Sequence, residues 1–239
     1  MLRALIFDVD GTLADTEAAH CAAFNHAFAE MGLDWHWDEA LYTRLLEISG
    51  GKERIRHYWQ QVQPGMTAID AGALADTLQR LHDLKTAAYE QAVQDGAVQL
   101  RPGVLALVDE AIRAGLPMAI ASTTSPVNIG VLLRRAIGAD WPTHFPVVED
   151  ASTAPLKKPH PQVYLQTLQR LGVPAAQALA FEDSGNGLAA AVAAGLPTVI
   201  TPTRFTAHHD FTAALRVRTD LRGVTLAMLQ SWHSTRARI

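Results

Sequence analysis

Short apolar runs cover Leu2–Phe7, Pro117–Ala121, Phe145–Val148, Ala178–Phe181 and Pro197–Ile200, each closed by polar or turn-forming residues. Runs of four to six residues predict strands buried on both faces rather than helices. Just before and between the last four runs the apolar period changes to that of a helix. Leu105, Val108, Ile112 and Gly115 mark one helix, and Val131, Leu132, Arg135 and Ile137 a second. His160–Gly172 and Asn186–Pro197 mark two more, and Gly115, Gly172 and Gly195 fall where helix C-caps belong. Strands alternating with helices predict an α/β fold, a Rossmann-like parallel sheet with helices on both faces.

Between Thr16 and Gly96 this rhythm breaks. The stretches EAAHCAAFNHAFAEMG, WDEALYTRLLEI, GKERIRHYWQQV and ALADTLQRLHDLKTAAYEQAVQDG have helical period, and none reads as a strand. An all-helical block after the first strand and before the second predicts an inserted cap. The expected division is 1–15 and 96–239 for the α/β core and 16–95 for the helical cap. A last helix is expected near Thr225–Trp232.

Composition narrows the classes. A length of 239 residues with 49% hydrophobic content supports a sizeable core. The net charge of −4, both signs dispersed, gives no footprint for nucleic acid. The single cysteine, Cys21, excludes an internal disulfide and fits a reducing compartment. No leader-like segment and no bilayer-length apolar stretch is seen, so the expectation is a cytoplasmic protein without membrane contact or an obligate protein partner.

The strand ends carry the chemistry. ALIFDVDGT places Asp8 and Asp10 just past the first run, two apart on extended chain and so able to aim at one point. The second run ends in Ser122, Thr123 and Thr124. Lys157 and Lys158 follow the third, and Glu182 and Asp183 close the fourth. In a parallel sheet these converge on one edge, where α/β proteins bind ligands. Four carboxylates together call for a cation, and an oxygen-only donor set selects Mg²⁺. A lysine and hydroxyls beside it suit phosphate, held by Lys158 and Ser122 with Thr123 and Thr124 as further contacts.

These four segments, in this order, resemble the motifs of the haloacid-dehalogenase superfamily: DVDGT, the strand ending in Ser122, LKKPHP with Lys158 before proline, and EDS at Glu182–Ser184. The resemblance implies a phosphatase in which Asp8 is the nucleophile and Asp10 the acid and base. Mg²⁺ would be held by Asp8, the Asp10 carbonyl and Asp183, with Glu182 binding directly or through water. Ser122 and Lys158 would stabilise the transferring group.

The helical insertion resembles the superfamily's C1 cap. GGKERI, LDWHWD and LRPGV are similar to the CbbY group of sugar-bisphosphate phosphatases, whose substrate is xylulose 1,5-bisphosphate, an inhibitor of the carbon-fixing enzyme of the Calvin cycle. His20 and Lys85 stand where β-phosphoglucomutase places substrate-contacting residues. Gly50, Gly51, Lys52 and Arg54, with Lys85, are expected to clamp a second phosphate, and Glu17 after Asp15-Thr16 favours hydrolysis. The alternatives are β-phosphoglucomutase activity, hydrolysis of phosphoglycolate or another sugar monophosphate, and, in a different class, a phospho-accepting signalling module.

Overall fold

The computed structural model describes residues 1–63 and 71–236. Residues 64–70 of the expected cap and 237–239 of the expected core lie outside the described residues. The described chain forms two compact units, Met1–Asp15 with Gln99–Ile239 and Thr16–Val98.

The first unit holds a parallel sheet. Its strands are β1 (Ala4–Phe7), β2 (Met118–Ala121), β3 (Val147–Glu149), β4 (Ala178–Glu182), β5 (Thr198–Ile200) and β6 (Arg216–Val217), in the spatial order β3-β2-β1-β4-β5-β6. Each neighbouring pair is parallel, with Phe7 level with Ile120 on one side and Phe181 on the other. That register brings the carboxyl ends of β1, β2 and β4 to one edge.

Both faces are buried. Ala4, Ile6, Ala119, Ala121, Ala178 and Ala180 pack on one face with Val163, Tyr164 and Leu168 of α8 (Gln162–Leu171) and Ala190 and Ala191 of α9 (Gly185–Ala193). Leu5, Phe7, Ile120, Leu179 and Phe181 occupy the alternate positions, pointing the other way, and are equally buried. Two-sided burial explains why the strands read as continuous apolar runs. Gly115, Gly172 and Gly195 all take positive φ just past helix ends, the conformation an αL cap requires.

Some elements differ from the sequence expectation. The third strand begins at Val147 rather than Phe145 because Phe145 is spent on core burial outside the ladder. A short helix, α7 (Trp141–His144), precedes it, and β6 forms the sheet edge. Both residues of β6 are exposed, so no apolar pattern announces it. The last helix, α10, spans Leu226–Arg236. Helices α5 (Val104–Arg113) and α6 (Pro126–Ala136) form where expected but bury other stripes: Val104, Leu107, Val108 and Ala111 face inward on α5 while Leu105 and Ile112 are exposed, and α6 buries Ile129, Leu132 and Leu133.

The second unit holds four helices and no strand among its described residues: α1 (Glu17–Glu30), α2 (Glu39–Leu45), α3 (Gly51–Val62) and α4 (Ala71–Gln94). Helix α1 buries His20, Ala23, Phe24, Ala27 and Phe28, a stripe at three- and four-residue spacing that packs on α4. Asp38 caps α2, its side chain accepting the Leu41 N–H at 2.7 Å. Trp37, Trp59 and Tyr89 are buried here, as aromatic residues of a small core should be. No helix among the described residues is long and apolar enough to cross a membrane.

Candidate active site

Asp8 is the first residue past β1, and its N–H donates to the Phe181 carbonyl at 3.1 Å, extending the ladder by one bond. The carboxylate is therefore fixed by backbone pairing before any side-chain contact is made. Its Oδ1 accepts from Lys158 Nζ at 2.7 Å. The same ammonium donates to Glu182 Oε1 at 2.6 Å and to the Ala121 carbonyl at 2.8 Å, which uses all three of its protons. Lys158 precedes a cis proline, Pro159.

Glu182 is held from several directions. Tyr164 donates its hydroxyl to Oε1 at 2.6 Å, and the Asp183 N–H donates to Oε2 at 3.2 Å. A Cβ placed on Gly187 would lie within 2.2 Å of both carboxylate oxygens, so glycine is required there for space. Asp183 accepts from Thr206 Oγ1 at 3.3 Å. Ligand atoms of Asp8, Glu182 and Asp183 all lie within 4.8 Å of one another, and all three residues are buried. The Asp10 side chain is outside that group.

The electrostatics follow from this packing. Asp8 and Glu182 share one ammonium, with Asp183 close beside them, so three buried acids are crowded together. Burial pushes the Asp8 carboxyl up to about 7. Lys158 opposes that rise, while Glu182 and Asp10 add to it. Burial alone would lower the Lys158 ammonium, yet Asp8 and Glu182 hold it above the usual lysine range. The lysine stays charged, and the protonation compromise falls on Asp8. The site fits a hard divalent cation on two grounds: its donors are all oxygens, and three buried acids are gathered within 4.8 Å of one another.

Ser122 is buried past β2, its N–H bonded to the Glu149 carbonyl at 3.0 Å. Its Oγ accepts the Thr124 N–H at 3.4 Å, and Thr124 Oγ1 accepts from Asn128 at 2.9 Å. Thr123, beside them, is part-exposed. Two residues of this neighbourhood had no role in the sequence reading. Tyr164 lies in the buried stripe of α8 and reads as core; the only clue is that a buried phenol needs an acceptor. Thr206 lies in a loop of no regular pattern.

The helical unit holds its charges differently. Lys85 on α4 is buried, its Nζ in hydrogen-bond contact with His20 Nδ1 at 2.8 Å. His20 stacks on Tyr89 with ring centres 4.0 Å apart. Glu17 is buried and accepts from Tyr42 at 2.7 Å. Arg54 donates to the carbonyls of Leu45 at 3.0 Å and Ile48 at 3.1 Å, and to the Tyr42 hydroxyl at 3.3 Å. Both Arg54 and Lys85 lie within 6 Å of the Phe24 ring centre, at 5.9 Å and 5.2 Å.

Lys52 and Arg54 do not stand side by side as the GGKERI loop suggests. Residues two apart on a helix diverge, and Lys52 instead donates to Gln79 on α4. Gly50 starts α3 at φ +98°, and Gly51 packs against His82 and Phe24.

A family model described as haloacid dehalogenase-like hydrolase matches residues 2–195. The plasmid-encoded protein CbbY of Cupriavidus necator is 51% identical, the match covering 97% of both chains. The crystal structure of CbbY from Rhodobacter sphaeroides with phosphate is similar at a TM-score of 0.86 and 38% identity, over 96% of this chain and all of that one. A mutant of that CbbY, solved with xylulose 1,5-bisphosphate, gives a TM-score of 0.85 at the same identity, over 95% of this chain and 98% of that one.

Proposed function

The chain belongs to the haloacid dehalogenase-like hydrolases and is a phosphatase; from that premise we propose that it hydrolyses a sugar bisphosphate, xylulose 1,5-bisphosphate, through a phosphorylated Asp8. The observation that carries this reading is the buried group in which one ammonium, Lys158, joins Asp8 to Glu182 beside Asp183. The substrate rests on likeness to a CbbY that binds that sugar.

Asp8, Asp183 and the Asp10 carbonyl would hold Mg²⁺, with Glu182 behind them fixing Lys158. Bound there, the ion would neutralise phosphate charge and keep Asp8 ionised. The Asp8 carboxylate attacks phosphorus as the bond to the sugar oxygen breaks, and Asp10 gives that oxygen its proton. Asp10, now a carboxylate, takes a proton from water. The water oxygen attacks phosphorus, the Asp8–phosphorus bond breaks, and phosphate leaves. Lys158 and Ser122 stabilise charge on the moving phosphoryl oxygens throughout. Thr123 and Thr124 line the same strand end as substrate contacts.

Glu17, His20, Gly50, Gly51, Lys52, Arg54 and Lys85 are proposed to select the sugar and its second phosphate. Arg54 and Lys85 share the Phe24 ring and are the stronger pair.

A phosphate-release screen over sugar mono- and bisphosphates, with and without Mg²⁺, tests the proposal. Asp8→Asn should lower turnover on the order of 10⁴-fold or more, as loss of a nucleophile does. Near-normal turnover in that variant would remove the mechanism. Conversion of β-glucose 1-phosphate to glucose 6-phosphate without phosphate release would replace hydrolysis with mutase activity.

A further inference from the structure

Arg101 stands where the chain re-enters the first unit, ahead of Pro102 and Gly103. Its backbone is fixed by the outgoing segment: the Arg101 N–H donates to the Leu13 carbonyl at 2.8 Å, and Ala14 pairs antiparallel with Leu100. Its guanidinium then bonds three separate segments. Nη1 donates to the Gly11 carbonyl, in the turn carrying Asp8 and Asp10, and to the carbonyl of Thr201, just past β5. It also reaches the Thr201 hydroxyl at 3.0 Å. Nη2 donates to the carbonyls of Pro202 at 2.9 Å and Thr219 at 3.1 Å.

Two of those segments meet again at Asp183. Gly11 takes φ +74°, and a Cβ there would lie 2.3 Å from Asp183 Oδ2, so the turn lies directly against that carboxylate. Asp183 Oδ2 also accepts from Thr206, in the loop that begins at Thr201. The path from Gly11 through Arg101, Thr201, Thr206 and Asp183 back to Gly11 is closed.

We propose that Arg101 is a positioning residue: its guanidinium holds the Gly11 turn and the Thr201–Thr206 loop together, and so sets the spacing between the Asp8/Asp10 pair and Asp183. It acts through backbone carbonyls and not on reacting atoms. The role is specific to arginine. A planar guanidinium presents donors on two Nη atoms in fixed directions and here meets five acceptor atoms, whereas the three protons of a lysine ammonium leave a single nitrogen and cannot serve all five.

The inference rests on the carboxylate site proposed above, and its test separates the two. Full-length Arg101→Lys and Arg101→Ala are compared with the unaltered chain, and with Arg222→Ala, which removes an exposed guanidinium bonded to Asp220. Two quantities are measured: Mg²⁺ binding by calorimetry without substrate, and kcat and KM on the best sugar phosphate. The expected kcat loss is about 100-fold for both Arg101 variants, the scale of a small misplacement of reacting groups, with KM little changed. Mg²⁺ affinity should fall about 10- to 100-fold, as it does when supporting partners of metal ligands are removed. Guanidinium ion in the buffer should restore part of both losses in Arg101→Ala, and Arg222→Ala should match the unaltered chain.

Normal kcat and Mg²⁺ affinity in Arg101→Lys would overturn the proposal. So would a loss that tracks the folded fraction by circular dichroism without guanidinium rescue. If Arg101→Ala does not fold, Arg101→Lys decides alone. An unaltered chain that binds Mg²⁺ but releases no phosphate would defeat the proposed function, and the Mg²⁺ comparison would still decide the role of Arg101.

Discussion

The two units hold buried charge by opposite means. At the sheet edge, Lys158 is bonded to two carboxylates and a carbonyl, and the acids are fixed by strand ends. In the helical unit, Arg54 is bonded to two carbonyls and a phenol, and Lys85 to an imidazole. The sheet edge is thus negative and suits a cation plus a reacting phosphate. Those bonds to Arg54 and Lys85 orient the two cations through neutral acceptors, the arrangement that the proposed recognition of a second phosphate would use. In the proposed function, chemistry belongs to the strand ends and selectivity to the helix faces.

The sharpest way to break that contrast is Lys158→Met. It should lower kcat by about 10³-fold, the scale of losing a principal electrostatic stabiliser. It should do so equally for mono- and bisphosphates, since the reacting group is common to both. Leaving Asp8 and Glu182 without their shared cation should cost about 3–5 kcal/mol of stability, read from denaturant midpoints without added metal. A loss confined to bisphosphates would move Lys158 out of the reacting site.

A smaller effect concerns pH. With the Asp8 carboxyl raised to about 7, it is protonated below that pH, and a proton there competes with Mg²⁺. Mg²⁺ affinity should level off above pH 7 and fall by up to about tenfold per pH unit below it. Calorimetry from pH 5 to 8.5, in buffers of different ionisation enthalpy, would also detect the released proton. An affinity flat down to pH 5 would show that Asp8 is already ionised in the unloaded protein.

The smallest effects separate the cations of the helical unit. Lys52→Ala should lower kcat/KM on a bisphosphate by about tenfold, one charge-assisted hydrogen bond, and leave monophosphates and thermal stability unchanged. Arg54→Ala should lower the bisphosphate rate and also cost about 1–3 kcal/mol of stability, because the Ile48 carbonyl and the Tyr42 hydroxyl each lose a donor and the Leu45 carbonyl keeps only the Ile48 N–H. Equal losses on both substrate classes would remove the second-phosphate clamp.

Much of this was legible in the chain. The strand runs, the helical period between them and the glycine stops are local signals, and the sheet follows from them with end shifts of one or two residues. The exception, β6, is a two-residue edge strand whose exposed residues leave no pattern. The carboxylates stood out because acids at the ends of apolar runs are costly without a purpose.

The sequence by itself therefore determined the alternation of elements, the helical insertion and which side chains are candidates for the chemistry, because period, turn and residue type act over a few neighbouring residues. Tertiary structure alone decided the partners. Lys158 meets Glu182 across 24 positions and Asp8 across 150, and Arg101 reaches Gly11 across 90. It also decided that Lys52 and Arg54 diverge on α3. The physical reason is range: hydrogen bonds and ion pairs act over a few ångströms, and only strand register and helix packing determine which distant residues come that close.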